Sequence, residues 1–297
     1  MTPEDQTSTT PMDIAPPQAE MSRTAPAAPP AESMGESVTE GVTAPIAARP
    51  TKALTSQETF IGEVVRTIIY ALAIVFFVRT FLYQPFVIPS GSMRGTLLEG
   101  DYILVNKFAY GYSRFSIPFS PHLFDGRIMG SEPVRGDVVV FRPPGMPSTD
   151  YVKRIVGLPG DRIQMKDGVL HINGAPVGMA QIADLAIADG RGGNVTYNRF
   201  VETLPNGIAH EVLSDVTRSS ADNTPEYTVP ADQYFMMGDN RDGSRDSRFT
   251  EVGFIPFENI VGRVENIFFS ADGSAAFWEI WQWPMAIRYD RMFTAVR

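Results

Sequence analysis

The sequence predicts a mainly β protein. An antiparallel β domain with an inserted smaller β-subdomain follows one transmembrane helix and a disordered N-terminal tail. Three observations support this prediction. Residues 1–59 are rich in Pro, Ala, Ser, Thr and Glu, residues 60–83 form one long apolar run, and the remainder contains short β-rich runs bounded by Gly, Pro or Asp. The tail, the helix and the β domain therefore follow one another along the chain.

The first 59 residues have the composition of a disordered segment. Such a stretch buries too little apolar surface to offset the entropy lost on ordering. Its acidic residues outnumber its basic ones, and it contributes much of the net charge of -9. The sequence has no basic patch and no nucleic-acid motif, so we do not expect nucleic acid as a partner.

Residues 60–83 are predicted to form a single membrane anchor. As a helix this run spans roughly 36 Å, which exceeds the hydrocarbon core of about 30 Å. Within it, the residues from 68 to 78 show no polar face, which disfavours the buried helix of a soluble protein. No small-x-small site follows the run, which disfavours a cleaved signal sequence. Three basic residues at or before its start, Arg49, Lys52 and Arg66, favour a cytoplasmic tail by the positive-inside rule.

The remainder of the chain is predicted to consist of strands and turns. Strand-like runs occur at 101–108, 136–141, 151–156, 234–237 and 260–269. Lys166-Asp167-Gly168 lies between two alternating runs and indicates a hairpin. Residues 173–230 alternate more weakly and are rich in Gly, Asn, Asp and Thr. This change predicts an inserted β-subdomain at 173–230, or a long excursion there as the alternative, so that 84–172 and 231–297 form the main domain.

The three tryptophans, Trp278, Trp281 and Trp283, lie together in the segment 277–285. Tryptophan favours the membrane interface, where its ring is in an apolar environment and its N–H remains hydrated. A cluster in an aromatic core is the alternative. Both interpretations are compatible with the sequence.

The composition narrows the possible chemistry. The chain has no cysteine, and its three histidines, His122, His171 and His210, are far apart and in no metal-binding spacing. We expect surface or structural roles for the histidines, and neither a metal nor a cofactor. The loop 238–248 fails the EF-hand calcium pattern, because Gly238 and Phe249 occupy its first and last ligand positions. Internal ion pairs are the better interpretation of that loop.

Two segments offer a serine nucleophile and a lysine base. Ser92 lies in the run 88–93 (IPSGSM), where a glycine permits a tight turn. Lys153 lies in a strand-like run, and burial beside Tyr151 would favour its neutral amine, which can accept a serine proton. The backbone N–H of Ser92 and the hydroxyl of Ser90 are candidate oxyanion donors. Taken alone, each segment is equally compatible with a hydroxyl-rich turn or an ordinary edge-strand lysine.

Four segments in fixed order after the anchor carry a family resemblance. They are IPSGSM (88–93) with TLLEGDYILV (96–105), RGDVVVF (135–141), DYVKRIVGLPGD (150–161) and GDNRDGSRDSR (238–248). Together they resemble the motifs of bacterial type I signal peptidases, the membrane-bound Ser/Lys endopeptidases that remove signal peptides from exported proteins. One departure is Gly95, where the family usually has a proline before Thr-Leu; its loss predicts a looser turn behind Ser92.

The resemblance implies roles for individual residues. Ser92 becomes the nucleophile, and Lys153 becomes the general base. The hydroxyl of Ser90 joins the Ser92 amide in the oxyanion hole, and Ser244 orients the lysine amine. The resemblance also implies supporting ion pairs formed by Asp239, Asp246, Arg154 and Arg248. It implies that two residues, Met93 and Tyr151, line the substrate groove.

The resemblance also implies partners and a location. The partners are precursor proteins that carry signal peptides, together with the lipid bilayer. The location is the bacterial plasma membrane, crossed once, with the catalytic domain on the periplasmic face. Two alternatives are a self-cleaving Ser/Lys regulator, which would need a DNA-binding head, and a non-catalytic membrane-tethered β domain that binds peptides. The sequence leaves the oligomeric state open.

Overall fold

The computed structural model describes residues 56–188, 194–215, 219, 221–275 and 278–296. Residues 1–55, and with them nearly all of the predicted tail, lie outside these ranges. The first described element is the helix α1 (Ser56–Phe77), which continues as a π-helical turn over Val78–Leu82. The described chain is otherwise built mainly of strands.

The segment Phe60–Leu82 is long and apolar enough to cross a membrane, with a mean hydropathy of 2.1 in its most apolar window. None of that window is buried against the rest of the described chain. This exposure argues against the core helix of a soluble protein. The prediction of one apolar helix over 60–83 is confirmed to within a residue.

The strands follow one another along the chain from the end of the anchor to the C-terminus. They are β1 (Tyr83–Val87), β2 (Asp101–Asn106), β3 (Val138–Phe141), β4 (Tyr151–Gly157), β5 (Arg162–Lys166), β6 (Val169–Ile172), β7 (Ala175–Pro176), β8 (Gly178–Ala188), β9 (Asn194–Thr203), β10 (Ala209–Asp215), β11 (Tyr227–Thr228), β12 (Gln233–Met237), β13 (Ile255–Pro256), β14 (Ile260–Ser270) and β15 (Thr294–Ala295). Short 3₁₀ turns cover Gly91–Met93, Phe108–Tyr110, Arg114–Ser116, Phe257–Asn259 and Tyr289–Arg291, and a short helix α2 covers Trp283–Ala286.

In the described residues the strands form three antiparallel sheets. The main sheet has the order β1-β2-β14-β3-β4-β12-β13, with β15 paired to β14. A second sheet has the order β11-β5-β6-β7, and a third has the order β10-β9-β8. The mainly β, antiparallel fold class is therefore confirmed. The domain boundaries at 173 and 230 stay a prediction; β8, β9 and β10 lie inside them, whereas β7 pairs with β6 across the first.

The main sheet is buried on both faces, which explains the uninterrupted apolar run of β3. Val138 and Val140 pack into one core cluster with Val264, while Val139 and Phe141 pack into another on the opposite face. Successive side chains of a strand point to opposite faces, so a doubly covered strand needs apolar residues at every position. Each fully buried side chain of this kind contributes roughly 1.5–3 kcal/mol.

The hairpin between β5 and β6 has the turn that the sequence predicts. Lys166 pairs with Val169, so that Asp167 and Gly168 form a two-residue loop. Both loop residues have positive φ, 48° and 79°. That combination defines the type I′ turn, which matches the twist of the flanking strands and favours Asp-Gly.

The tryptophan segment lies on the surface. Trp278 and Trp281 are 74% and 68% exposed, and Trp283 is 39% exposed. An aromatic core cluster is therefore excluded. Exposed indole rings on a chain that also carries an apolar helix favour the membrane-interface alternative.

Candidate active site

Ser92 lies in a tight 3₁₀ turn between β1 and β2. Ser90 precedes the turn in an extended conformation, and Met93 follows Ser92 and is buried in the core. Behind the serine, the backbone N–H groups of Thr96 and Leu97 both donate to the carbonyl of Met93, at 3.0 and 2.8 Å. The core contact and these two hydrogen bonds fix the turn that carries the serine hydroxyl.

Gly95 has a conformation that proline cannot adopt. Its φ is +110°, whereas the proline ring holds φ near −65°. A Cβ built on Gly95 would lie 2.9 Å from the carbonyl oxygen of Glu211 on β10. Gly95 therefore has a positive-φ conformation, in which the turn lies close to β10.

Lys153 on β4 directs its amine to the serine. Its Nζ donates to Ser92 Oγ at 2.6 Å and to the carbonyl of Val152 at 2.9 Å, and it lies 5.4 Å from the ring centroid of Tyr151. The lysine is only 4% exposed. The structure thus joins two side chains that are 61 positions apart in the sequence.

Burial controls the protonation of this amine. Loss of solvent lowers the pKa of Lys153 from 10.5 to about 8, while the carboxylates of Asp246 and Asp239 act in the opposite direction. The desolvation effect is larger than the attraction of the two acids. Half of the amine is therefore neutral near pH 8.

Asp239 and Arg154 form a buried ion pair beside the dyad of Ser92 and Lys153. The guanidinium donates from Nε and Nη2 to the two carboxylate oxygens at 2.9 and 2.8 Å, and Thr96 donates its hydroxyl to Asp239 at 2.6 Å. Burial opposes ionisation of Asp239, but Arg154 outweighs it and holds the pKa below its ordinary value. The carboxylate is therefore charged and fixed in place.

A second buried pair, Asp246 with Arg248, closes the loop that follows β12. Arg248 donates from Nε and Nη2 at 2.8 Å each, and the backbone N–H of Gly238 donates to Asp246 at 3.0 Å. Burial would raise the pKa of Asp246, but Arg248 lowers it below its ordinary value. The predicted interpretation of loop 238–248 as a loop of internal ion pairs matches these contacts.

Ser244 is buried in the same loop. A Cβ on Gly238 would overlap both Ser244 Oγ and the carbonyl oxygen of Ser92, so only glycine fits between them. The hydroxyl contributes to the low pKa of Asp246, although its Oγ makes no hydrogen bond of good geometry in the described residues. The structure thus brings Ser244 to the site without a hydrogen bond to Lys153.

A groove of about 420 Å³ opens in front of Ser92 and Lys153. The end of β1 and the start of β4 form two of its sides, and Met93 and Tyr151 contribute to its lining. Ser90 and Arg245 also line it, and both are exposed. The candidate site residues drawn from the sequence therefore line this groove or lie in the buried network behind it.

Several residues at the site were missed by sequence reasoning. Asn240 donates from Nδ2 to the carbonyl of Gly91 at 3.0 Å and from its backbone N–H to the carbonyl of Ser92 at 3.2 Å. Thr96 bridges the Asp239–Arg154 pair. Three more buried residues lie behind Asp239: Glu202, His210 and Arg241. Their sequence signal is weak, because each depends on strand register or loop path. In the described part of the chain, no group of three or more metal-ligating side chains is arranged to hold an ion.

The site thus places a largely desolvated amine, rather than an imidazole, beside a serine hydroxyl. On a β fold that follows an apolar helix, this combination is typical of serine peptidases in which lysine replaces histidine as the base.

Comparison with known proteins assigns the family. The family described as "Signal peptidase, peptidase S26" matches residues 61–269. Signal peptidase I of Rickettsia prowazekii (strain Madrid E) is 42% identical over 209 residues, which cover 68% of this chain and 77% of that protein. Signal peptidase I of Rickettsia rickettsii (strain Sheila Smith) is 37% identical over 243 residues, which cover 75% and 89% respectively. The chain therefore belongs to the signal peptidase family, peptidase S26.

A crystal structure of a signal peptidase I from Enterococcus faecalis V583 is also similar, with 23% identity and a TM-score of 0.26. That similarity covers 45% of this chain and 97% of the other, and it is too weak to carry an argument. The family assignment rests on the family match and on the Rickettsia relatives. It confirms the expectation of a serine peptidase of the signal peptidase type.

Proposed function

We propose that this protein is a membrane-anchored serine endopeptidase that cleaves N-terminal signal peptides from exported precursor proteins, with Ser92 as nucleophile and Lys153 as general base. The observation that supports this most directly is the 2.6 Å contact between Lys153 Nζ and Ser92 Oγ. Burial of the amine adds to it, because only a neutral lysine accepts the serine proton.

The precursor binds in the groove as an extended strand. β1 lies at the edge of the main sheet, and its end lines the groove together with the start of β4. An extended peptide can therefore add its backbone to this edge, as in β-augmentation. Met93 and Tyr151 lie along the bound segment, and two shallow pockets accept small side chains at the first and third positions before the cut.

The reaction proceeds through an acyl-enzyme. Neutral Lys153 takes the proton of Ser92 Oγ as the oxygen attacks the carbonyl carbon before the cut. The tetrahedral intermediate collapses with cleavage of the C–N bond, and the ammonium of Lys153 protonates the leaving amine. Lys153 then removes a proton from water as the water oxygen attacks the ester carbonyl. The C–Oγ bond breaks, the signal peptide leaves with a free carboxylate, and Lys153 returns the proton to Ser92 Oγ.

The negative charge of the tetrahedral intermediate is held by two donors. One is the backbone N–H of Ser92, in the first turn of a 3₁₀ helix, where N–H groups lack intrahelical partners. The other is the hydroxyl of Ser90, which lines the same groove. Oxyanion donors of this kind contribute about 3–4 kcal/mol each to the barrier reduction.

The remaining residues support the dyad. Ser244 orients the lysine amine once the substrate is bound. The pairs Asp239–Arg154 and Asp246–Arg248 hold loop 238–248 against the turn of Ser92.

We place the protein in the bacterial plasma membrane. Anchored once by α1, it carries its catalytic domain on the periplasmic face, where exported precursors emerge. The apolar segment Phe60–Leu82 and the basic residues before it support this orientation. The exposed tryptophans near the C-terminal end would contact the lipid surface.

The direct test is cleavage of a signal-bearing precursor by the full chain in detergent. We expect Ser92→Ala and Lys153→Ala each to abolish cleavage while the circular dichroism spectrum stays unchanged. Matched controls are Ser131→Ala and Lys166→Ala, two exposed positions, which keep wild-type activity. Full activity in either dyad variant would contradict the proposal.

A further inference from the structure

A buried histidine that the proposed mechanism does not use lies behind Asp239. His210 on β10 pairs directly with Glu202 on β9, and its Nε2 lies 3.4 Å from Glu202 Oε1 and 3.7 Å from Asp239 Oδ1. Its side chain is 1% exposed, and neither ring nitrogen makes a hydrogen bond in the described part of the chain. Burial lowers the pKa of His210 to about 4, so the ring is neutral near pH 7.

Glu202 also holds Arg241, which lies in the loop of Asp239 and Asp246. The guanidinium donates from Nη2 and Nη1 to the two carboxylate oxygens at 2.6 and 2.7 Å, and both residues are buried. A bidentate pair of this kind fixes both the distance and the orientation of its partners. It is a buried side-chain bridge between the β8–β10 sheet and loop 238–248, which the Ser214 hydroxyl on β10 also contacts by donating to Asp242 at 2.9 Å.

The backbone reinforces the same bridge. Leu213 on β10 donates to the carbonyl of Asp239 at 2.8 Å, and the N–H of Arg241 donates to the carbonyl of Leu213 at 2.8 Å. Arg248 Nη2 donates to the carbonyl of Arg241 at 2.6 Å, so the Asp246–Arg248 pair is tied to the Glu202–Arg241 pair. The network behind the dyad therefore extends into β9 and β10 without interruption.

The charges of this buried network balance. Three buried carboxylates are each paired with one buried guanidinium group. The pairs are Asp239–Arg154, Glu202–Arg241 and Asp246–Arg248. We propose that Glu202, Arg241 and the neutral ring of His210 are positioning residues that keep the buried charge around the Lys153 amine balanced and thereby keep that amine available as a base. The proposal rests on the proposed function of Lys153 and adds residues that the dyad chemistry does not include.

The balance matters because Lys153 has little solvent to screen it. The carboxylates of Asp239 and Asp246 attract its proton, and the same two carboxylates act on Arg241. Around Lys153 the other polar or charged groups are those of its own strand, the serine turn and the groove: Tyr151, Arg154, Ser92, Asp150 and Arg245. Of these, Asp150 is paired with Arg142. An uncompensated charge in the network would therefore act on the lysine through a medium that screens poorly.

His210 has a separate part in the balance. The groups that face it are Glu202, Asp239, Arg154 and Arg241, two acids and two arginines. While Arg241 is present, their charges cancel and the ring stays neutral. If Arg241 loses its charge, His210 is the nearest group able to take up a proton beside Glu202. The histidine therefore has to be removed before the effect of Arg241 on Lys153 can be measured cleanly.

The test uses the two partners of one ion pair. In the full chain in detergent, Glu202→Gln leaves an excess positive charge, which moves the acid limb of the kcat/KM profile to lower pH. Arg241→Gln in the His210→Asn background leaves an excess negative charge, which moves the limb to higher pH relative to His210→Asn alone. We expect each displacement to be about one pH unit, the size produced by a unit charge about 12 Å away at an effective dielectric near 20. The variant with both Glu202→Gln and Arg241→Gln returns to the wild-type limb.

Opposite displacements distinguish charge balance from simple structural support, because structural damage lowers activity without moving the limb in opposite directions. If Arg241→Gln does not fold, Glu202→Gln and the charge-conserving Arg241→Lys test the proposal instead. Glu202→Gln must then move the acid limb of the kcat/KM profile to lower pH, and Arg241→Lys must leave the limb at its wild-type pH. The proposal would be overturned if Glu202→Gln and Arg241→Gln in the His210→Asn background moved the acid limb in the same direction. It would also be overturned if Glu202→Gln did not move the limb.

A second readout separates this proposal from the proposed function. The Lys153 amine is titrated by ¹³C NMR of labelled lysine in the Ser92→Ala protein, with the signal assigned by its loss in Lys153→Met. This titration needs no cleavage, so it reports the charge balance alone. Absence of precursor cleavage by the wild-type chain would count against the proposed function. A midpoint of the Lys153 titration that is the same with and without Glu202→Gln would count against the charge balance.

Discussion

Replacing Lys153 with methionine keeps the length of the side chain and removes its titratable amine. In the folded protein, burial brings the pKa of that amine from 10.5 to about 8. Since one pKa unit corresponds to about 1.4 kcal/mol, the folded state disfavours the charged amine by about 3 kcal/mol. The lysine of the candidate dyad is therefore expected to destabilise the fold at neutral pH.

The sign of the pH dependence follows from the protonation of both states. Below pH 8 the amine is charged in the folded and the unfolded chain, so the wild type carries the full cost. Between pH 8 and 10.5 the folded amine is neutral while the unfolded one is still protonated, and the cost declines. Above 10.5 both are neutral and no cost remains. The stability of Lys153→Met relative to wild type should therefore fall by about 3 kcal/mol from pH 7 to pH 10.5.

Denaturant unfolding of both full chains in detergent measures this difference at each pH. The hydrogen bonds that methionine loses to Ser92 Oγ and to the Val152 carbonyl add an offset that is the same at every pH. Groups that titrate in both proteins cancel in the comparison. A stability difference that stays flat from pH 7 to 10.5, or that rises, would refute the argument that burial depresses the pKa of Lys153.

Two further predictions concern the backbone and the anchor. Gly95→Ala places a Cβ at a φ of +110° and 2.9 Å from the carbonyl of Glu211, so it should lower the free energy of unfolding by about 1–3 kcal/mol. The control Gly178→Ala, whose nearest neighbour lies at 3.8 Å, should leave stability nearly unchanged. Equal melting temperatures of the two variants would contradict the conformation of Gly95. Lys107 is buried and donates to the carbonyls of Arg79 and Ser116 and to Gln84 Oε1. Because Lys107→Met removes these hydrogen bonds, it should speed tryptic cleavage at Arg79, whereas the exposed control Lys166→Met should not. An unchanged cleavage rate in Lys107→Met would show that Lys107 does not hold the end of the anchor.

Local sequence signals predicted the local structure well. The hydropathy of 60–83 located the anchor, and Asp167-Gly168 identified the β5–β6 hairpin, because each signal lies within a few consecutive residues. The strand expected over 101–108 ends at Asn106 instead. Lys107 has helical backbone angles there and turns its amine toward the end of the anchor. The contacts of that amine and a hydrogen bond from the Ala109 N–H to Asn106 Oδ1 at 2.9 Å both support the turn that ends the strand.

The site was less accessible to sequence reasoning, because it depends on pairs that are distant in the chain. The separation of Ser92 and Lys153 carries no information about their contact, and the family resemblance suggested it. Glu202 and His210 share a face because β9 and β10 pair in one particular register. No motif marks that register, and the weak alternation in 173–230 predicted β structure without giving the bounds of β8 and β9.

The passage from α1 to β1 contains no linker. The π-helical turn ends at Leu82, β1 begins at Tyr83, and the groove is already lined by Phe86, Val87 and Ile88. At about 3.3 Å per residue, that stretch of strand is at most roughly 20 Å long. In the proposed membrane orientation, this tether keeps the groove within roughly 20 Å of the lipid surface. For the proposed reaction this height sets a minimum length: a precursor whose scissile bond lies closer to its own membrane-inserted segment than this height would not reach the serine.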